Sequence, residues 1–396
     1  MKTFNYYYEN LTPPDSLLCY CAKDDILYFD IETTGLSKVK NHIYLIGCGY
    51  YSESGLNVIQ WFAENESEES EVLKSFINFS SSFNTLVNYN GKTFDIPFTS
   101  SRLEKYNMIM NELDSFDLYV LVKPLKKFLS LNDLTQKSVE SFLKIKREDK
   151  FNGGELISVY NNYANVSHSQ SSYYHSRKDD FKSNNERLDA LLLHNKEDVL
   201  NMHYLSGITA YNDLLNLSYN FETFTINEYC DYSGCRKKEL LLTAKYNNSS
   251  NIMSFNSFYS NEAGAFFMNY NHDGTVSLRI PILCDTLKCY LSNYKDYYYL
   301  PKEDICILKS MGGGVSKENR ENARKETCYV KNSGDYIPVK YNKSSFDAIY
   351  SCDKSPVHIF KPDYKSKVEY ILLSDFEGLP EDIKSGFIVY IINSFV

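Results

Sequence analysis

Ile26-Leu-Tyr-Phe-Asp30-Ile-Glu32-Thr-Thr-Gly-Leu36 is an apolar run that carries two carboxylates two residues apart and stops at a glycine. In an extended strand alternate side chains share a face, so Asp30 and Glu32 point one way while Phe29 and Ile31 point the other. Two like charges held side by side repel, and burial near a sheet raises the cost. A divalent cation would compensate for both effects, whereas a strand with two solvated acids would satisfy the same alternation.

Working outward, residues 1–24 read as a lead-in broken by Pro13-Pro14 that packs on the domain. His42–Tyr51 and Gly55–Ala63 are strand-like, and their short connections make an antiparallel meander with the opening strand. Acids at 64–71 lead into Val72, Leu73, Phe76 and Ile77, which have helical spacing. Asn84–Asn90 is then a strand reached by a crossover, at which point the sheet turns parallel. Asn90-Gly-Lys-Thr-Phe-Asp95-Ile-Pro follows, so Asp95 sits at the C-terminal edge of a strand or in the first turn of a helix with its body at Phe98–Tyr106. An N-cap aspartate would look the same.

The apolar run Phe116–Val122 reads as a short strand with Asp117 near its end, Leu131–Leu143 and Glu155–Ala164 as helices, and 165–186 as a flexible insertion in which His168 and His175 are solvated. Glu186–Leu205 is a strong helix that stacks His194 and Asp198 one turn apart. A surface His–Asp pair satisfies that spacing equally.

The three acidic segments, in this order, resemble the DEDD exonucleases of the ribonuclease H-like superfamily, and most of all the bacterial YprB-type ribonuclease H-like domain. Asp30-Ile-Glu32-Thr-Thr-Gly corresponds to the first exonuclease motif, Asn90 to Asp95 to the second, and His194 to Asp198 to the third. The similarity spans about residues 25–207. It implies an α/β fold: a ribonuclease H-like mixed sheet, antiparallel meander plus parallel strands, flanked by helices. It also implies a 3′-5′ exonuclease that acts on DNA or RNA. The implied metal ligands are Asp30, Glu32, Asp95 and Asp198, holding two Mg²⁺ or Mn²⁺ ions, with His194 as general base. Thr33, Asn90 and Lys92 are the implied substrate contacts. One departure stands out: Asn195, Lys196 and Glu197 put three residues between the histidine and the last aspartate, the spacing used by relatives with tyrosine at this position. The carry-over of the four acids is therefore firmer than that of His194.

The chemistry supports the same set. Phosphodiester hydrolysis must activate water and stabilise developing charge, and hard divalent ions on carboxylate oxygens do both. Competing readings are a nucleic-acid-binding scaffold that keeps the fold without turnover, and an endonuclease on the same fold.

Composition sets the surroundings. A chain of 396 residues and 45.9 kDa favours two domains, here 25–207 and a smaller α+β domain at 208–396. Net charge of −9 argues against a generic nucleic-acid coat. Residues 123–150 nonetheless hold eight Lys and Arg against four acids, either a phosphate-facing surface or a solvated helix face. Ten cysteines in a long chain that opens without a signal-like segment are expected to be reduced thiols in the cytoplasm. The spacing of Cys230/Cys235 and Cys284/Cys289 is poor for structural zinc. The longest apolar run, Gly386–Val396, is too short to span a bilayer. In the second half, Gly264–Ile282 reads as a hairpin, Met311–Gly314 as a flexible loop lacking the features of a phosphate loop, and Leu379–Phe395 as a final helix.

Overall fold

The computed structural model describes residues 1–164, 181–215, 219–246, 252–340 and 358–393. His168, His175 and residues 165–180 of the expected insertion lie outside them. The chain separates into two compact units, the first built mainly from Met1–Lys126 and Leu131–Leu214 and the second mainly from Met253–Val396.

In the first unit, strands β1 (Lys2–Glu9), β2 (Ile26–Thr33), β3 (Ile43–Tyr51), β4 (Gly55–Phe62), β5 (Thr85–Asn88) and β6 (Asp114–Asp117) form one sheet in the order β1-β4-β3-β2-β5-β6. Pairing is antiparallel from β1 to β2 and parallel across β2, β5 and β6. The helices are α1 (Asp15–Leu18), α2 (Glu69–Ser80), α3 (Asp95–Lys105), α4 (Leu118–Phe128), α5 (Gln136–Phe142), α6 (Gly153–Tyr163), α7 (Asn184–Leu205) and α8 (Ile208–Asp213). This is the expected mixed sheet of meander plus parallel strands. The two faces of β2 divide as alternation requires. Leu27, Phe29 and Ile31 pack with Val72, Leu73 and Phe76 of α2 and Phe98 and Leu103 of α3. On the opposite face Tyr44 and Phe62 pack against Leu156 and Tyr160 of α6 and Leu191 and Leu192 of α7.

Three local expectations change. The lead-in contributes β1, paired along its whole length with β4, so the first eight paired residues are sheet rather than loose packing. The run at 116–122 is strand only to Asp117; Leu118, Val122, Leu125 and Phe128 are buried at helical spacing and carry the chain into α4. Helix α7 opens at Asn184, inside the expected insertion, because the Ser183 hydroxyl accepts the Glu186 N–H as its N-cap.

Beneath α7 lies a buried polar chain. The Tyr51 hydroxyl bonds His203 Nδ1 at 2.6 Å and the Tyr28 hydroxyl at 2.9 Å, and Tyr28 reaches Ser206 Oγ at 3.2 Å. Burial lowers the His203 pKa to about 4, so the folded state keeps this imidazole neutral where the unfolded chain protonates it. The contribution is intact above the unfolded value of about 6.5, erodes as pH falls from there, and is exhausted below about 4, for a total of roughly 3 kcal/mol. Urea unfolding at pH 7 and pH 5 should show this loss, and His203→Gln should flatten it; an equal slope in the variant refutes the assignment.

The second unit is mostly sheet. It contains β7 (Tyr219–Cys230), β8 (Arg236–Tyr246), β9 (Phe255–Asn261), β10 (Gly264–Tyr270), β11 (Thr275–Tyr290), β12 (Tyr297–Leu300), β13 (Ile305–Leu308), β14 (Glu321–Asn322), β15 (Tyr329–Lys340) and β16 (Glu369–Leu372), with helices α9 (Leu373–Glu377) and α10 (Glu381–Asn393). β10 and β11 are the expected hairpin, closed at Asn271–Gly274 with Gly274 at φ 84°. Met311–Gly314 belongs to a short 3₁₀ turn, Lys309–Gly314, instead of an open loop. The final helix ends at Asn393 among the described residues. No described cysteine is paired, and neither Cys pair belongs to a metal-like cluster among the described residues.

Candidate active site

The acids of β2 face helix α7, and two glycines of β3 let that helix come close. A Cβ on Gly47 would lie 2.1 Å from Asn195 Oδ1, and one on Gly49 would lie 2.9 Å from Val199 Cγ1. Gly47 is the register partner of Asp30. The approach lets Asn195 Nδ2 donate to Asp30 Oδ2 at 2.7 Å, while Asn195 Oδ1 accepts from Gln60 Nε2 at 2.7 Å. Gln60 also donates to the Leu192 carbonyl at 3.0 Å, which fixes the turn of α7 just before His194.

Around that contact the structure gathers Asp30, Glu32, Asp95, His194 and Asp198. Ligand atoms of Glu32, His194 and Asp198 lie within 4.8 Å of one another, the one such group among the described residues. His194 Nε2 is 3.2 Å from Asp198 Oδ2 and 3.6 Å from Glu32 Oε1. Asp95, the first residue of α3, accepts the Ile31 N–H at 3.4 Å. Burial, and then repulsion from Asp198, Asp95 and Glu32, holds the Asp30 carboxyl well above its ordinary range, with the Asn195 amide opposing. Burial likewise pushes Glu32 up to about 8, although His194 pulls it down, and Asp95 up to about 7, although backbone N–H groups oppose it. For His194, burial acts downward, but the Asp198, Glu32 and Asp149 carboxylates together raise it to about 9.

The other implied contacts sit differently. Thr33 Oγ1 is spent on the Gly35 carbonyl at 2.9 Å. Asn90 takes a left-handed φ of 63°, and its N–H and that of Lys92 donate to Asp117 at 2.8 and 3.3 Å. Asp117 thus shapes the turn that leads to Asp95, a structural use, and Lys92 points to solvent. Among the described residues, no hydrogen bond or ion pair joins Thr33, Asn90 or Lys92 to Asp30, Glu32, Asp95 or Asp198.

Several site residues were not read from the sequence. Asp149 Oδ2 bonds His194 Nδ1 at 2.7 Å and is held in turn by Lys137 Nζ at 2.9 Å and by the Phe151 N–H at 3.0 Å on Oδ1. Those bonds outweigh burial and keep Asp149 well below the usual carboxylate range. Glu197 accepts the backbone N–H groups of Glu148 and Asp149 at 2.9 and 2.8 Å, and Arg147 pairs with Asp198. The expected basic surface therefore splits: Lys123, Lys127, Lys144, Lys146 and Lys150 are exposed, while Lys137 and Arg147 turn inward. The one signal that pointed to Arg147 and Asp149 was the charge density of 123–150.

The RNase_H superfamily model matches residues 27–209, the stretch that carries strands β3 to β6, nearly all of β2 and all five gathered side chains. Residues 27–209 form a ribonuclease H-like domain. No curated protein matches the chain. Among solved structures, similarity extends to the family B DNA polymerase of the hyperthermophilic archaeon Pyrobaculum calidifontis, with 12% identity, TM-score 0.33, 68% of this chain and 35% of that one. It extends also to Brucella melitensis NrnC bound to pGG, with 13% identity, TM-score 0.26, 48% of this chain and 85% of that one. The chain thus spans about a third of the polymerase's length. Among the described residues no helix is long and apolar enough to cross a membrane.

The donor set of this ribonuclease H-like domain fits a divalent cation. Burial and mutual repulsion raise the proton affinity of Asp30, Glu32 and Asp95, and oxygen donors with no thiolate suit Mg²⁺ or Mn²⁺ better than zinc.

Proposed function

We propose that residues 25–207 are a metal-dependent 3′-5′ exonuclease of the DEDD type that hydrolyses phosphodiester bonds in DNA or RNA, working in the cytoplasm. The observation that carries the reading is the meeting of Glu32, His194 and Asp198, distant in sequence, within 4.8 Å of one another, with Asp30 and Asp95 near enough to repel them. Exonuclease type and polarity come from the resemblance of the three motifs. Two Mg²⁺ or Mn²⁺ ions held by the four acids would supply charge compensation at the phosphodiester and a lowered pKa for water.

The chain's own part is positioning and proton handling. Asp149 accepts the Nδ1–H of His194, so the other ring nitrogen, Nε2, faces Glu32 and Asp198 where a proton from water must go. Neutralising Asp198 and Glu32 removes the two largest influences that raise His194 and leaves burial, which favours the neutral imidazole a base requires, set against Asp149, which still favours the charged ring. Asp149→Asn should lower kcat by about 10- to 100-fold through loss of this orientation, with Mn²⁺ affinity little changed. His194→Ala should lower kcat more than it lowers metal affinity. Parent-like turnover in either variant would remove the role assigned to that residue.

Digestion of end-labelled single-stranded DNA and RNA in Mg²⁺, Mn²⁺ or EDTA tests the whole reading, with Asp198→Asn as the control. Shortening from the 3′ end, only with metal and intact acids, supports it. Internal cuts would make the protein an endonuclease, and binding without cleavage in every condition would make it a scaffold.

A further inference from the structure

Arg147 reaches the acidic cluster from the segment that follows α5. Its guanidinium pairs directly with Asp198 and lies 3.6 Å from Glu140, 3.7 Å from Glu197 and 3.9 Å from Asp149. The side chain is 9% exposed. Glu197 secures the backbone on its C-terminal side through two N–H groups, so the arginine is mounted on a fastened segment. Two features make this more than an ion pair. Both oxygens of Asp198 are engaged by the chain itself, Oδ1 by Arg147 and Oδ2 by His194. Arg147 meanwhile leaves Nε and Nη1 buried without a hydrogen-bond partner. These donors face the Glu140, Glu197 and Asp149 carboxylates beyond hydrogen-bond reach, buried donors of a charged group without a hydrogen bond are costly, and the guanidinium fork matches the oxygens of a phosphodiester.

We propose that Arg147 is the cluster's built-in counter-cation, competing with a divalent ion for Asp198, and that once displaced it binds the substrate's phosphate. This rests on the nuclease reading and adds to it a substrate-contacting residue from outside the three motifs. Two cations a few ångströms apart on one carboxylate repel, so occupancy of Asp198 by one disfavours the other. Arg147 then has its donors free beside the site where a phosphodiester must lie.

The test uses the full chain and two variants, Arg147→Met and Arg147→Lys. Mn²⁺ affinity is measured by calorimetric titration of the metal-free protein. Substrate affinity is measured by fluorescence anisotropy of labelled single-stranded DNA and RNA oligonucleotides with phosphorothioate linkages, in MnCl₂. Arg147→Met should bind Mn²⁺ about 10-fold tighter and the oligonucleotide about 10-fold weaker than the parent. Arg147→Lys, with a point charge in place of the fork, should bind Mn²⁺ like the parent and the oligonucleotide with intermediate affinity. Unchanged or weaker Mn²⁺ binding in the Met variant overturns the counter-cation role, and unchanged oligonucleotide binding overturns the phosphate role. Should circular dichroism show the Met variant unfolded, the Lys variant carries the test, and parent-like oligonucleotide affinity there refutes the proposal. A parent that neither binds nor cleaves nucleic acid brings down both readings; a parent that does both, matched by the variants, brings down only this one.

Discussion

Asp30→Asn is expected to lower phosphodiester cleavage by roughly 10³-fold or more while making the protein more stable in EDTA. The two effects share one cause. Asp30 lies in the cluster, where partial burial and then Asp198, Asp95 and Glu32 all disfavour its ionised form. A neutral isostere removes the repulsion, and its amide oxygen can still accept the Asn195 N–H that now reaches Asp30 Oδ2. The expected gain is about 1 kcal/mol, of the size found when functional strain is relieved. Activity falls because the amide no longer supplies a negative oxygen donor. Steady-state kinetics and thermal melts in EDTA check both halves. Cleavage within a few-fold of the parent would refute the proposed role of Asp30, and a lower melting temperature in EDTA would show that the acids are not under mutual strain.

Arg102→Met is expected to have the largest effect on stability. Glu69 Oε1 accepts Arg102 Nε at 2.7 Å and the Ile43 N–H at 2.8 Å, while Oε2 accepts Arg102 Nη2 at 2.6 Å and the Tyr106 hydroxyl at 2.9 Å. Side-chain exposure is 2% for the arginine and 0% for the glutamate. Removal of one partner leaves a buried carboxylate facing only neutral donors, at a cost of about 3–5 kcal/mol. The double variant Glu69→Gln, Arg102→Met should recover part of that loss, because no unpaired charge remains. Urea unfolding of the single and double variants decides it; a single variant within about 1 kcal/mol of the parent would show the pair to be dispensable.

Parts of this architecture are legible residue by residue. Alternation in 26–33 puts Asp30 and Glu32 on one face and Phe29 and Ile31 on the other, which is how β2 divides its neighbours. The i, i+4 spacing of His194 and Asp198 gives their 3.2 Å contact. The acids at 64–71 read as lying near a helix N-terminus; Glu69 is there, fully buried on Arg102. Leu118–Val122 deceived because a short apolar run has no period long enough to separate strand from helix.

What the chain's local order determined is which residues share a face: a strand repeats every two residues and a helix every 3.6, and neither period depends on distant partners. Which faces meet was decided by tertiary structure. Gly47 and Gly49 admit α7 against β3, and that approach brings Asn195 to Asp30 and Asp198 toward Glu32. Arg147 and Asp149 lie in an aperiodic segment whose place is set by backbone N–H groups donating to Glu197 on a helix some 50 residues away. No local rule carries that information, because the energy that fixes such a segment lies in pairings between distant residues, which exist only once the sheet and α7 have come together.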